Sequence, residues 1–315
     1  VEYIGHVIED NNAHARLGYG AGHFFRALDG QSMSGIDVVL HQLQPGRDDG
    51  FHTWPCSKAV DEEFFTYCLA EMGVSAAVVD EKKLGRTMCE IFGAYGWGEG
   101  NRLMKWMADF MLVRGVNFFV PHAFSPKSGI DEDNPPHFYT HGDNPQFAGF
   151  CRLCQYMERM ASLLDGGLRH SCAAVLYHGE GEWGGRCMLT QQPMAVLKKH
   201  QINADVLPID MLASGQLENG ELRIGRGRYR ALVVPYMEAA PEVLLKQIKR
   251  LCDKGFPVVF VDAFPERKSQ GGAFSASELD GAQIVPLSKL ATHLDELRTI
   301  RCCGEEPYLR TYWYH

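Results

Sequence analysis

Four short apolar runs separated mostly by helical stretches constrain the fold of this 315-residue chain more than any other feature. The runs lie at residues 172–177, 205–209, 231–235 and 257–261. Helices are predicted at residues 194–201, 242–254 and 288–297. Near-continuous apolar strands that alternate with helices are typical of a parallel, doubly wound sheet. We therefore predict a flavodoxin-like or glutamine-amidotransferase-like α/β domain over residues 166–300, which includes a small hairpin at 221–230.

The chemistry of an amidotransferase is not expected in this second domain. An active enzyme of that type needs a cysteine on a tight, glycine-flanked elbow between strand and helix, with a histidine partner. The strand ending at Pro235 offers no such cysteine, and residues 179–185 do not form a dinucleotide-binding glycine fingerprint. The sequence therefore predicts the fold of this domain without its catalytic function.

Residues 86–121 form the most informative unit of the first part, which we predict to be a strand, a turn, a helix and a second strand. The first strand ends at Glu90, and the aromatic residues Phe92, Tyr95 and Trp97 follow within seven positions. Apolar residues at helical spacing come next, and Gly115 ends that helix. Residues 116–121 predict a fully buried strand. A carboxylate at the carboxyl end of a parallel strand is a common catalytic position, although a salt-bridged or capping glutamate is an equally open alternative.

The remaining elements of the first part are predicted from shorter patterns. Residues 1–10 and 36–42 have the apolar content of strands, and residues 64–72 fit a helix that Gly73 would end. Two long polar loops, 11–31 and 121–145, separate these elements. Loops of that length are often functional, but their polar residues could equally hold the loops in place.

Composition excludes several classes of function. The net charge of −8 and the pI near 5.9 argue against a nucleic-acid or anionic-membrane partner. No apolar run approaches the length of a membrane span. Ten scattered cysteines fit a reducing, cytoplasmic environment better than a disulfide framework. Cys151 and Cys154 form a CxxC that could be a redox or zinc motif, but buried thiols on one helix face are favoured. We predict neither metal nor cofactor.

Glu90 with residues 92–97, followed by residues 115–122, resembles strands seven and eight of barrel glycoside hydrolases. Within that group the unit resembles the α-L-rhamnosidase-like enzymes of family 106 and, more distantly, the family-42 β-galactosidases. In the latter, an amidotransferase-like domain without its catalytic cysteine follows the barrel. The resemblance implies that residues 1–165 are the C-terminal half of a (β/α)8 barrel that begins near strand five. Residues 166–300 would be the following domain, and 301–315 the start of a truncated β segment.

The same resemblance implies roles for individual residues. Glu90 would be the nucleophile or the base, while the general acid normally ends strand four, upstream of Val1; Glu9 is a second candidate acid. Arg86 and Lys105 could keep Glu90 ionised. Strand ends on the same rim carry residues that could bind sugar hydroxyls or could be ordinary core residues: His6, His41, Gln42 and His122. Trp97 would stack on the sugar.

The leading hypothesis is therefore a glycoside hydrolase with a carbohydrate substrate, which could form a homo-oligomer. Hydrolysis of a glycosidic bond requires one carboxyl group that donates a proton and one that stays ionised. The alternative is a non-catalytic carbohydrate-binding or scaffolding fragment that lacks the general acid.

Overall fold

The protein is a mixed α/β structure whose two largest sheets, among the residues described, are both parallel. The computed structural model describes residues 1–7, 13–18, 20–48, 51–53, 59–127, 129–302 and 308–314, with the backbone alone over 51–53 and at 59. Within these residues, no helix combines the length and apolar character that crossing a bilayer requires.

The first sheet contains three parallel strands in the order β1 (Ser34–Val38), β2 (Thr87–Ile91) and β3 (Phe118–Pro121). One face of β1 and β2 is fully buried because alternate residues of both strands are apolar: Ile36, Val38, Cys89 and Ile91. The opposite face carries Asp37, Glu90 and Val120 as neighbours in one row across the three strands. This second face therefore brings polar side chains to the middle of the sheet.

The prediction that residues 116–121 form a fully buried strand is wrong for β3. Phe118 is 43% exposed and Val120 is 38% exposed. Both residues lie on β3, which is an edge strand of the sheet. The face of the sheet that carries Glu90 is open to solvent there. An apolar composition indicates a strand but does not establish that another element covers both of its faces.

Two helices lie between the strands of this sheet along the chain. Short helical segments at Glu62–Phe64 and Phe65–Leu69, the latter a π-helix, lead directly into α1 (Ala70–Val79). The prediction that Gly73 ends this helix is wrong, because Gly73 lies inside α1 and allows the helix to pack closely on the sheet. A Cβ atom there would lie 2.7 Å from Cγ2 of Ile36. The predicted helix between β2 and β3 is α2 (Asn101–Leu112).

The CxxC motif lies on α3 (Phe147–Leu164), and the prediction that its thiols are buried is wrong for Cys151, which is exposed. Cys154 is half-buried. The buried side of α3 consists of Phe150, Leu153 and Met157. This helix packs mainly on α2, so only a narrow stripe is covered and Cys151 falls outside it.

The second sheet contains five parallel strands, one more than predicted. They are β4 (Ala173–Tyr177), β5 (Ala204–Pro208), β6 (Ala231–Val234), β7 (Val258–Val261) and β8 (Gln283–Val285). Their spatial order β8-β7-β6-β4-β5 is the 2-1-3-4-5 order of a doubly wound sheet. The edge strand β8 is short and largely exposed, so its sequence carries no continuous apolar run. The principal helices of this part are α4 (Gln191–Lys199) and α5 (Glu242–Cys252).

The remaining elements are short. Helical segments, several of them 3-10, occur at Ala13–Ala15, Phe24–Ala27, Glu81–Lys83, Thr140–Gly142, Gly179–Gly184, Ile209–Leu212, Ala276–Leu279, Leu287–Lys289, Leu290–His293 and Asp295–Leu297. The last three replace the continuous helix predicted at 288–297. Antiparallel pairing joins Phe51–Thr53 to Ala59–Asp61 and Arg169–His170 to Trp313–Tyr314. It also joins Glu221–Ile224 to both Gln216–Glu218 and Gly227–Tyr229, so the predicted hairpin is present. Ala239–Ala240 and Arg267–Lys268 form a parallel pair.

The N-terminal segment crosses the open face of the first sheet without forming a strand at residues 1–7. A Cβ atom on Gly35 would lie 1.8 Å from the Gly5 carbonyl oxygen, so only glycine fits beneath this crossing. The predicted strand at residues 1–10 is therefore wrong for its first seven residues, and residues 8–10 lie outside the described part of the chain.

A buried group of charged residues joins the two sheets, and we call it the Glu71 cluster. Its members come from α1, α4, β5 and two connecting segments: Glu71, Arg114, Arg169, Lys198 and Asp205. The Glu71 carboxylate lies 2.8 Å from Nη1 of Arg169 and 3.0 Å from Nζ of Lys198. Arg169 also pairs with Asp205. Helix α1 contacts both β1 and β5, so the two sheets share one hydrophobic core.

Candidate active site

Glu90 lies on the central strand of the first sheet, and two imidazoles bracket its carboxylate. Its Oε1 lies 3.1 Å from Nδ1 of His122, and its Oε2 lies 3.3 Å from Nε2 of His6. The Glu90 side chain is 30% exposed. A carboxylate held in this way has a fixed orientation and still reaches solvent, as a group that acts on a ligand must.

The loop after β2 gives His122 the space to reach Glu90. Phe92, Ala94 and Gly96 have positive φ angles of 83°, 57° and 85°, so the chain turns sharply at the strand end. A Cβ atom on Gly93 would lie 2.9 Å from Nδ1 of His122. The glycine-rich sequence at this position therefore makes room for the imidazole.

Asp37 is a member of the site that the sequence analysis missed. It is the register partner of Glu90 on β1, and both side chains lie on the same face of the sheet. Ligand atoms of His6, Asp37 and Glu90 all lie within 4.8 Å of one another. An imidazole with two carboxylates is a donor set that could hold a divalent cation. The signal in the sequence was a single charged residue inside an otherwise apolar strand.

Trp97 lies near the Glu90 carboxylate, and two imidazole rings separate them. The rings of Trp97 and His137 have centroids 5.9 Å apart, and those of His137 and His122 are 6.4 Å apart. His122 in turn contacts Glu90. The aromatic residue therefore belongs to the same rim as the carboxylate but does not adjoin it directly.

Other residues expected near Glu90 have different roles in the structure. Arg86 pairs with Glu2 at 2.9 Å, and Lys105 pairs with Asp109 on its own helix at 2.6 Å. Both cations therefore have carboxylate partners other than Glu90.

The two predicted sugar ligands after β1 contact other parts of the protein. The Gln42 side chain accepts a hydrogen bond from the Val39 amide at 3.0 Å and is buried, so it closes the turn after β1. His41 packs on Tyr95, with ring centroids 4.6 Å apart. Glu9, the second candidate acid, lies outside the described residues.

Glu99 is a further carboxyl group near this rim, and the sequence analysis did not single it out. It is only 3% exposed, and neither of its oxygens has a hydrogen-bond partner among the described residues. Burial raises the pKa of Glu99 to about 9. At neutral pH this group is therefore a neutral acid.

The raised pKa of Glu99 predicts a pH-dependent stability. An unfolded glutamate releases its proton near pH 4.5, whereas the folded protein retains it up to about pH 9. The contribution of Glu99 to the free energy of unfolding is therefore most favourable below pH 4.5. Between pH 4.5 and about pH 9 it decreases by about 1.4 kcal/mol per pH unit. We expect Glu99→Gln to remove this decrease, so that the variant is the more stable protein at pH 8. Urea unfolding from pH 5 to pH 9 measures the effect; parallel curves for both proteins would contradict it.

The fold and the site together define an α/β protein with a carboxylate–imidazole group at the carboxyl ends of parallel strands. Solved structures with a similar fold are glycoside hydrolases. A rhamnosidase from Novosphingobium sp. PP1Y matches with a TM-score of 0.60 and 14% identity, over 88% of this chain and 27% of that chain. A GH42 β-galactosidase from G. stearothermophilus matches with a TM-score of 0.57 and 12% identity, over 80% and 36%. A β-galactosidase from Bacillus circulans sp. alkalophilus matches with a TM-score of 0.52 and 12% identity, over 79% and 35%.

These likenesses show a glycosidase-like fold. This chain spans roughly a quarter to a third of the length of the three structures. No model of a protein family and no curated protein sequence matches it.

Proposed function

We propose that the chain is part of an α-L-rhamnosidase-like glycoside hydrolase in which Glu90 is the nucleophile or the general base. The observation that carries the proposal is the half-buried Glu90 carboxylate, oriented by His6 and His122 at the end of a central parallel strand. Hydrolysis requires a carboxylate that stays ionised while positive charge develops on the sugar. The fold similarity to a rhamnosidase supports this reaction class.

The proposal assigns the rest of the rim to substrate binding. Trp97 offers an aromatic face on which the apolar side of a sugar ring can stack. Asp37, next to Glu90, can accept hydrogen bonds from sugar hydroxyls. In this interpretation residues 1–165 belong to a (β/α) barrel, and residues 166–300 form an amidotransferase-like domain without its own catalytic role.

The alternative remains a carbohydrate-binding or scaffolding protein without turnover. It shares the binding role of Trp97 and His122 but requires no general acid. The two functions therefore differ in hydrolysis and not in binding.

The experiment that tests the proposal combines binding with turnover. The complete enzyme that contains this chain is titrated with 4-nitrophenyl α-L-rhamnopyranoside and 4-nitrophenyl β-D-galactopyranoside, and release of nitrophenol is followed in parallel. We expect hydrolysis of the rhamnoside, and a Trp97→Ala variant that binds it about 1–3 kcal/mol more weakly, because one aromatic contact is lost. Trp313→Ala, an exposed position on the pair Trp313–Tyr314, is the matched control.

Binding without hydrolysis would favour the alternative function. If neither glycoside binds, or if Trp97→Ala and Trp313→Ala behave alike, the assignment of this rim to carbohydrate is wrong.

A further inference from the structure

A groove of about 550 Å³ lies at the amino ends of the strands of the second sheet. Residues 170–172 form one wall and lead directly into β4, and Arg230, on another wall, directly precedes β6. Ligands of doubly wound sheets ordinarily bind outside the carboxyl ends of the strands. The groove is therefore not the usual ligand site of this fold, and it belongs to a different sheet from Glu90.

Two arginines give the groove an excess of positive charge. Arg228 and Arg230 are both exposed and both line it, and alternate residues of an extended chain leave the same face. Among the described residues no carboxylate pairs with Arg228, whereas its register partner Arg223 pairs with Glu218 at 2.7 Å. Because the chain has a formal net charge of −8, a cationic groove on its surface favours an anionic ligand.

Backbone contacts hold two walls of the groove in place. The Arg230 amide donates to the Cys172 carbonyl oxygen at 2.8 Å, and Nη2 of the same arginine donates to the Leu297 carbonyl oxygen at 2.8 Å. Trp313 is the register partner of His170 in an antiparallel pair, and it is 56% exposed. The positions of a guanidinium and an indole on the groove are therefore set by the fold itself.

The lining suits a ligand that combines a carboxylate with hydroxyl groups. A guanidinium binds a carboxylate through two parallel N–H bonds. Glu221 also lines the groove; it repels a ligand with a charge at every position, such as a nucleic acid or an acidic peptide, but accepts hydrogen bonds from hydroxyls. The exposed indole of Trp313 offers a face for the apolar side of a sugar ring. A sugar ring with one carboxylate meets all three requirements.

We propose that this groove binds uronic acid residues of an acidic glycan, with a carboxylate on Arg228 and Arg230 and a sugar ring on Trp313. The inference rests on the proposed function and deepens it, because it names an acidic polysaccharide as the substrate class held at a second site. Binding in the groove requires the carboxylate. The neutral aryl glycosides therefore do not occupy it, and Trp313→Ala remains a valid control for Trp97→Ala.

Calorimetric titration with trigalacturonic acid tests the requirement for charge. With the complete enzyme that contains this chain, we expect the acid to bind about tenfold or more tightly than its methyl ester, which keeps the sugar rings and removes the charges. Added sodium chloride should weaken binding of the acid, because these arginines are exposed and salt screens exposed charges.

Substitutions assign that binding to the groove. Arg228→Gln should weaken binding of trigalacturonic acid by about tenfold or more, and Arg228→Lys by less, because lysine keeps the charge but loses the paired donors. Trp313→Ala should also weaken binding. Arg223→Gln is the matched control, since Arg223 already pairs with Glu218, and it should bind like wild type. Arg228 is exposed, so its variants should unfold at nearly the wild-type temperature.

Several results would overturn the proposal. These are no binding of trigalacturonic acid, equal binding of the acid and its ester, or unchanged binding by a folded Arg228→Gln variant. Equally tight binding of hexaglutamate or inorganic phosphate would also overturn it, because it would indicate an acidic-peptide site or a simple anion site.

Failure of the proposed function is distinguishable from failure of this inference. In the first case Glu90-dependent turnover of the aryl rhamnoside is absent, while trigalacturonic acid still binds in a manner that depends on Arg228. In the second case turnover depends on Glu90 as expected, and Arg228-dependent binding is absent.

Discussion

Replacing Glu90 by glutamine is expected to lower the turnover of an aryl rhamnoside by roughly a hundredfold to ten-thousandfold, the contribution of a positioned base or nucleophile. Glutamine keeps the shape of the side chain and can still contact His122, but it cannot accept a proton or attack the sugar carbon. Binding of the substrate should change little, because the hydroxyl contacts on the rim remain. Steady-state kinetics with the 4-nitrophenyl glycoside measure both quantities.

Three comparisons separate a catalytic role of Glu90 from a structural one. The side chain is 30% exposed, so Glu90→Gln should unfold at nearly the wild-type temperature. Glu158→Gln, an exposed glutamate on α3, should retain full turnover. Glu90→Ala should regain part of its turnover when azide is added, since a small anion can occupy the vacated space. Near-normal turnover of a folded Glu90→Gln would show that another group performs the chemistry.

The position of Glu90 beside His122 could be anticipated from the sequence because parallel strands impose it. Two apolar runs separated by one amphipathic helix form adjacent parallel strands, and the residues that end them meet at the same edge of the sheet. The structure has this arrangement in β2, α2 and β3. The sequence pattern was therefore sufficient to predict which residues lie side by side wherever the order of elements along the chain determines it.

Asp37 and Glu99 could not be found in this way. The role of Asp37 depends on the register between β1 and β2, and a shift of one residue would place it on the other face. The burial of Glu99 depends on the loop at residues 129–146, which contacts it only after folding. Gly73 illustrates the same limit, since a glycine that ends a helix and one that permits close packing look identical in sequence.

The Glu71 cluster gives the largest expected effect on stability. Three buried cations, Arg114, Arg169 and Lys198, are arranged around the two buried carboxylates of Glu71 and Asp205. Glu71→Gln removes one of the two negative charges and leaves Asp205 as the only carboxylate of the cluster that faces the three cations. Breaking a buried ion pair from one side typically destabilises a protein by about 3–5 kcal/mol. We therefore expect a loss of that size in the free energy of unfolding at pH 7, measured by urea denaturation.

The pH dependence of this effect is opposite to that of Glu99. Burial alone would raise the pKa of Glu71, but Lys198, Arg169 and Arg114 together lower it to about 2. The stabilisation is therefore fully present above the unfolded value of 4.5 and is lost as the pH falls from 4.5 towards 2. Wild type and Glu71→Gln should become similar in stability at the acid end of that range.

Glu99→Gln is the matched control, because it makes the same substitution at a glutamate that is similarly buried but has no ion pair within the described part of the chain. At pH 8 we expect Glu71→Gln to be less stable than wild type and Glu99→Gln to be more stable. Each substitution is expected to stabilise or destabilise the protein according to whether positive charges compensate the burial of the glutamate. Burial of the glutamate alone does not decide the direction. If both variants were destabilised equally, loss of packing would explain the result and the Glu71 cluster would contribute no specific electrostatic stabilisation between the two sheets.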